Sequence, residues 1–204
     1  MKRVLGFIVF LAMALTAFSS AARAQGSAFP IDVAVTYTAE RSKVANIDCG
    51  CFWFQGGSAN ASATFFHGLG AAVNLSGGYA SNIVPGIDIG RITFMAGPRY
   101  TLNTHRWTGR MLGEKHSSYL FGEALFGYAH GFDSVFPTAA GSQTTANAFA
   151  TQIGGGANVT LLHGLGLRLF EVDYVHTQLP NGASNSQNDL RLAFGVSYQF
   201  RKHE

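Results

Sequence analysis

The sequence has little of what usually marks a soluble enzyme or a helical membrane protein. Of its 204 residues only 5 are proline and 2 are cysteine, and charged residues make up 12%. After the N-terminal segment, no apolar stretch reaches the roughly 18 residues that a membrane-spanning helix needs. The phosphate-binding loop, the HExxH metal motif, the GxSxG nucleophile turn and the dinucleotide fingerprint are absent. These absences argue against a helical span in the mature chain and against the common enzyme classes.

The charge of the chain gives no sign of a nucleic-acid partner. The chain has 14 Lys+Arg and 11 Asp+Glu, and its sequence pI is about 9.0. Lys2, Arg3 and Arg23 fall in a segment that we expect to be removed, which leaves 11 basic and 11 acidic residues. No basic stripe with interleaved aromatic residues is present either, so nucleic acid is not predicted as a partner.

The first 24 residues are typical of a signal peptide. Lys2 and Arg3 form a basic start, an apolar run follows from Val4 to Phe18, and small residues end at Ala24. The apolar run is short for a membrane span, although an uncleaved anchor is the alternative. We expect cleavage after Ala24, which leaves residues 25–204 as a single exported domain without a lipid anchor.

The last strand is the most informative part of the mature chain. Between Asp189 and Phe200 every second residue is large and apolar, while the residues between them are charged, polar or tiny. Side chains alternate between the two faces of a strand, so one face is bulky and apolar and the other small and polar. A small polar face suits a packed interior better than a solvated exterior, so we expect the bulky face to meet lipid.

Seven earlier segments show related alternation, and the chain holds 25 glycines and 17 phenylalanines. Short turns at 66–68 and 162–164 alternate with longer loops at 42–51, 80–90, 131–146 and 179–188. This arrangement predicts an all-β fold, an eight-stranded antiparallel up-and-down transmembrane β-barrel with both termini in the periplasm. The connection at 103–117 is long for a turn, so it holds a brief helix or the flanking strands are longer. The predicted strands are approximately 32–41, 52–65, 69–79, 91–102, 118–130, 147–161, 165–178 and 189–200.

Alternation also predicts a charge network inside the barrel. An eight-stranded barrel is just filled by side chains, and buried charges need partners. We expect this network to plug the barrel, with an ion pathway as the alternative, and we expect Arg168 to face outward and reach lipid headgroups. Aromatic girdles are predicted from Tyr37, Trp53, Tyr79, Tyr100, Tyr119, Tyr198 and Phe200. The predicted network consists of Arg99, Glu123, Glu171, Asp173 and Arg191.

Cys49 and Cys51 flank a single glycine. In an oxidising compartment a tight disulfide between them is the favoured interpretation, with free thiols or metal binding as alternatives. Two thiolates without a nearby histidine make a poor metal site, so no metal and no cofactor is predicted.

The stretches 121–131, 167–177 and 188–200 resemble strands of the outer-membrane protein A-like β-barrel family. The resemblance implies an integral barrel of the cell outer membrane, in contact with its lipid and lipopolysaccharide. It also implies that Tyr198 and Phe200 form the signal read by the barrel-assembly machinery, although Arg201–Glu204 follow here where many relatives stop. No peptidoglycan-binding domain is expected.

No catalytic residue is predicted. A lipid A deacylase has a serine two residues after its histidine, whereas His176 is followed at that distance by Gln178. We therefore expect a monomeric barrel with a structural or surface-interaction role. The alternatives are a small-solute pore, a lipid A-modifying barrel enzyme and a soluble lipocalin-like periplasmic binder, which would turn its bulky face inward.

Overall fold

A computed structural model describes residues 29–43, 50–104, 117–138, 141–162, 164–182 and 184–200. The predicted signal peptide lies outside these residues and stays a prediction. Ten strands are present in the described part: β1 Ile31–Lys43, β2 Cys51–Phe66, β3 Leu69–Val84, β4 Ile87–Asn103, β5 Ser117–Phe132, β6 Phe136–Thr138, β7 Gly141–Gln143, β8 Ala146–Leu162, β9 Leu165–Thr177 and β10 Gln187–Phe200.

Eight of these strands form a closed antiparallel barrel in the order β1-β10-β9-β8-β5-β4-β3-β2. The first and last strands close it, in a ladder that runs from Ile31 opposite Phe200 to Arg41 opposite Leu190. Consecutive long strands are neighbours throughout, so the up-and-down topology predicted from the sequence is confirmed. No helix in the described ranges has the length and apolar character to cross a membrane.

The two ends of the barrel differ. At the turn end, where β1 begins and β10 ends, β2 and β3 are joined by His67 and Gly68, whose φ angles are 46° and 91°. Gly68 suits this position because its φ is positive and because an added Cβ atom would lie 2.4 Å from the carbonyl oxygen of Thr101. The connection between β4 and β5 lies at the same end. Its residues 105–116 are outside the described part, so the prediction of a brief helix there stays untested.

The loop end carries the connections from β1, β3, β5 and β9. The loop predicted over 80–90 is much shorter than expected, because β3 runs to Val84, β4 starts at Ile87, and only two residues join them. Near that join the backbone N–H of Asn82 and the hydroxyl of Tyr79 donate to Asp88 at 2.7 and 2.8 Å. These two hydrogen bonds hold the pKa of the Asp88 carboxyl below its usual value.

The connection between β5 and β8 folds back on the barrel. Its strands β6 and β7 form a small hairpin with Phe136 opposite Gln143. The ring of Phe136 is buried with Ala146 and Leu179, against Ile89 and Ala148. This apolar cluster attaches the hairpin to the loop end of the barrel.

The two faces of the barrel wall are opposite in character. Among the described residues, thirty-two large apolar side chains are exposed, with Phe94 56% and Tyr128 71% accessible, so the bulky residues of the wall face outward. Inside, Met95 and Leu125 are fully buried and form a small apolar cluster with Ala72, Ala129 and Ala150. Most of the remaining inward positions are polar or charged.

One bulge in β9 changes which residues face inward. The pairing of β9 shifts register against both neighbours, and Leu169 and Phe170 are consecutive yet each 52% exposed. Alternation therefore changes phase between them, and Arg168 is 1% exposed inside the barrel. The expectation that Arg168 faces outward was wrong, because a bulge inserts an extra residue that strict alternation does not count.

Candidate functional site

The barrel interior is the most charged buried region of the described residues. All five residues predicted for the interior are buried there, at 5% exposure or less. Sequence reasoning missed five more, although alternation already placed Glu40, Arg91 and Asp189 on polar faces. Only Arg168 could not be assigned to the interior by alternation, because the bulge in β9 shifts which residues face inward. The interior holds four arginines, Arg91, Arg99, Arg168 and Arg191, and six carboxylates, Asp32, Glu40, Glu123, Glu171, Asp173 and Asp189.

Four of these residues form a cluster toward the loop end, which we call the loop-end cluster: Glu40, Arg91, Asp189 and Arg191. Arg91 donates from Nη1 to Asp189 Oδ2 at 2.7 Å and from Nη2 to Glu40 Oε1. The Nε atom of Arg191 lies 3.3 Å from Glu40 Oε2. Two cations meet two anions, so this cluster is electrically balanced.

The other six charges form the turn-end cluster: Asp32, Arg99, Glu123, Arg168, Glu171 and Asp173. Arg168 donates from Nη1 to Glu171 Oε2 at 2.7 Å, and its Nη2 lies 3.5 Å from Asp32 Oδ1. Arg99 lies 3.5 Å from Glu123 and 3.7 Å from Asp32. Two arginines therefore meet four carboxylates, and this cluster carries the whole excess of negative charge.

Both arginines of the turn-end cluster contact the same aromatic ring. The guanidinium carbon of Arg99 lies 3.7 Å from the ring centroid of Phe121, and that of Arg168 lies 4.5 Å from it. Both cations thus contact a ring inside the barrel, where desolvation makes cation–π attraction strongest.

Tyr119 also lies inside, which corrects its predicted place in an outward girdle. It is 5% exposed, and its hydroxyl donates to Asp32 and accepts from Asn158 Nδ2 at 2.6 Å. Tyr119 shares the inward face of β5 with Phe121 and Glu123, so alternation places it there. Of the other predicted girdle residues, Phe200 is partly buried and these are exposed: Tyr37, Trp53, Tyr79, Tyr100 and Tyr198.

Asp173 differs from the other five interior carboxylates because it makes no ion pair within 4 Å. Its two carboxylate oxygens are buried and have no hydrogen-bond partner. Arg191, opposite Asp173 in the β9–β10 ladder, makes its ion pair with Glu40 instead. One oxygen from each of Glu123, Glu171 and Asp173 lies within 4.8 Å of the other two.

The remaining candidate residues lie apart from the interior. Tyr198 and Phe200 pack edge to face at the turn end of β10, with ring centroids 4.7 Å apart. Cys51 is exposed at the start of β2, 3.6 Å from Arg41 Nη2. Cys49 lies outside the described residues, so the predicted disulfide stays a prediction.

Two outward-facing histidines bind amides rather than hydroxyls. His130 Nδ1 lies 2.7 Å from Asn147 Oδ1, and His176 Nδ1 lies 2.8 Å from Asn188 Oδ1. The hydroxyl of Tyr174 donates to that same Asn188 oxygen at 2.6 Å. These contacts place both histidines in polar groups on the outer wall.

Comparison with known proteins connects this geometry to one fold. The chain matches no protein-family model and no curated protein. Among solved structures it is similar to Neisserial surface protein A (NspA), with 14% identity and a TM-score of 0.54 over 85% of this chain and 98% of that one. It is also similar to Ail of Yersinia pestis solved with a heparin analogue, with 16% identity and a TM-score of 0.51 over 84% and 99%.

These likenesses show the fold. The resemblance to small outer-membrane barrels inferred from the strand patterns is therefore confirmed for the architecture of the chain.

Proposed function

We propose that this protein is an integral barrel of a bacterial-type outer membrane, with a structural or surface-interaction role and a plugged interior. The observation that supports the proposal is the character of the two faces of the barrel wall, which is the reverse of that in a soluble protein. Large apolar side chains lie outside and ten charged residues are enclosed. In water, so large a continuous apolar surface would drive aggregation, whereas lipid acyl chains cover it at no such cost. A soluble binder of the lipocalin type would need the opposite arrangement.

The packing inside supports a plug rather than a pore. Along β4, the buried side chains of Arg91, Met95 and Arg99 follow one another down the barrel. Hydrogen-bonded hydroxyl groups fill other parts of the interior. The side-chain oxygens of Thr36 and Ser58 are 2.7 Å apart, and those of Ser76 and Thr93 are 2.6 Å apart. A cavity beside Arg91 has room for about one water molecule. We infer that no solute path crosses the barrel.

The loop end is proposed to face the cell exterior, with the turn end and both termini in the periplasm. Arg41 and Lys43 are exposed where β1 reaches the loop end, and Trp53 is opposite Arg41 in the ladder. Cations beside an interfacial tryptophan suit the phosphates of lipopolysaccharide. The heparin analogue in the Ail structure, sucrose octasulfate, is also an anion with several negative groups.

Assembly is proposed to use the terminal aromatic pair. Tyr198 and Phe200 lie at the turn end of β10, where the barrel-assembly machinery would receive the last strand. We propose a monomer, because the barrel closes on itself and leaves no strand edge for a second copy. We propose no catalysis, since the hydrogen bonds of His130 and His176 go to asparagine oxygens.

Two measurements test this proposal together. The exported protein, purified in detergent, should migrate differently on gels before and after heating, as a closed barrel does when it unfolds. In planar lipid bilayers it should give no large, stable conductance. A protein that is monomeric and soluble without detergent would overturn the membrane assignment, whereas stable channels from a heat-modifiable barrel would overturn only the plug.

A further inference from the structure

We propose that the barrel interior binds one calcium-like divalent cation between the carboxylates of Glu123, Glu171 and Asp173. One oxygen from each of the three lies within 4.8 Å of the others. Ca²⁺ binds oxygen ligands at about 2.3–2.6 Å, so oxygens on opposite sides of the ion are roughly 4.6–5.2 Å apart. The three carboxylates can therefore contact one ion without moving apart.

The net negative charge of the turn-end cluster favours such an ion. The loop-end cluster has two arginines for Glu40 and Asp189, but the turn-end cluster has two arginines for four carboxylates. Burying unpaired carboxylates costs several kcal/mol per ion, even after relaxation of the surroundings. One divalent cation supplies the two positive charges that the turn-end cluster lacks.

Unpartnered buried atoms at this position independently point to a ligand. Asp173 is 1% exposed, and neither of its oxygens has a hydrogen-bond partner within 3.5 Å, although the amide of Gln152 lies close enough to interact with the carboxylate. Gln152 is fully buried, donates from Nε2 to Glu123 Oε1 at 3.3 Å, and its Oε1 has no partner. Buried polar atoms are nearly always satisfied, so the free oxygens beside Glu123 indicate a missing partner. A cation bound by carboxylates, with Gln152 as a further oxygen donor, satisfies them.

The glycines of β8 leave space for the three carboxylates to approach one another. Gly154 lies opposite Glu123 on one side and opposite Asp173 on the other, and Gly156 lies opposite Glu171. A Cβ atom at Gly154 would be 2.1 Å from Asp173 Oδ1. The strand that passes between the acids therefore carries no side chain where their carboxylates meet. Gly154 and Gly156 therefore leave the space in which the three carboxylates meet.

The experiment must allow the ion to enter, because the folded interior is packed. Protein purified in detergent is unfolded in urea with a chelator, then refolded in detergent with Ca²⁺ or with chelator. Bound metal is measured after removal of free ion. We expect about one Ca²⁺ per chain, lost in Asp173→Asn and Glu123→Gln. The matched control, Asp88→Asn, removes an exposed acid at the loop end and should keep the ion.

A second readout separates ion binding from a merely structural role. Asp173→Asn removes an uncompensated charge, so without Ca²⁺ it should unfold at a urea concentration at least as high as the wild type. With Ca²⁺ the wild-type midpoint should rise while that of Asp173→Asn stays fixed. If the refolded wild type holds no ion, protons neutralise the acids and the proposal is wrong. Equal binding by the wild type and both interior variants would also overturn it.

Discussion

Arg168 and Glu171 are three residues apart in β9, yet both side chains lie inside the barrel and meet at 2.7 Å. In a regular strand, residues three apart point to opposite faces. The bulge at Leu169 and Phe170 returns Glu171 to the face that Arg168 occupies. A local irregularity of the backbone therefore creates the shortest ion pair of the turn-end cluster.

Removal of this arginine should strongly destabilise the barrel. Arg168→Met keeps the apolar stem but leaves Glu171 without an arginine partner and Asp32 with only the more distant Arg99. Breaking a buried pair by removal of one partner costs about 3–5 kcal/mol. Urea unfolding in lipid vesicles, followed by tryptophan fluorescence, measures the change. The matched control is Arg41→Met on the exposed loop end of β1, where we expect little effect; equal losses in the two variants would contradict the assigned pairing.

Two glycine substitutions should differ sharply. Gly154→Ala would place a Cβ 2.1 Å from Asp173 Oδ1 and 2.4 Å from the carbonyl oxygen of Val172, so the strand or the carboxylate must move. At Gly122 the nearest atom to an added Cβ is 3.8 Å away, which is ordinary contact. We expect Gly122→Ala to fold normally and Gly154→Ala to lose heat-modifiable migration or much of its stability. Equal tolerance would show that the carboxylates have free space.

A charge on the outer wall tests which face meets lipid. Leu192 lies opposite Val172 and Ala39 in the ladders, and it is 43% exposed. Arginine on the lipid face costs about 2–4 kcal/mol at the membrane midplane and much less near the interfaces. Leu192→Arg should therefore reduce the free energy of unfolding in vesicles, whereas Ser184→Arg in the exposed loop before β10 should not. If Leu192→Arg left the free energy of unfolding unchanged, this face would meet water rather than lipid.

Cys49 and Cys51 should be joined in a disulfide. Protein isolated without reductant, denatured and treated with a maleimide should remain unlabelled until a reducing agent is added. In Cys51→Ser the loss of the partner should leave Cys49 reactive from the start, which serves as the control. Labelling of the unreduced wild type would favour the free-thiol alternative.

Alternation in the sequence predicted the barrel and the inward position of charges such as Glu123 and Arg191, because an eight-stranded wall has one small polar face and one bulky one. It failed for Arg168, because a bulge depends on how β9 pairs with both neighbours and no single-strand pattern records that. The pairing within the interior was also beyond the sequence. Asp173 has no ion pair within 4 Å because the guanidinium of Arg191 pairs with Glu40 on β1, which the sequence of β9 and β10 alone does not show.

The ladder between β1 and β10 has a consequence for the timing of biogenesis. The first strand of the barrel pairs with its second neighbour only when the last strand is in place. Until then the backbone N–H and C=O groups along one side of β1 are unsatisfied, and such edges pair readily with other chains. Closure of the barrel must therefore wait until every strand from β1 to β10 is available, and the open side of β1 can pair with another chain until then.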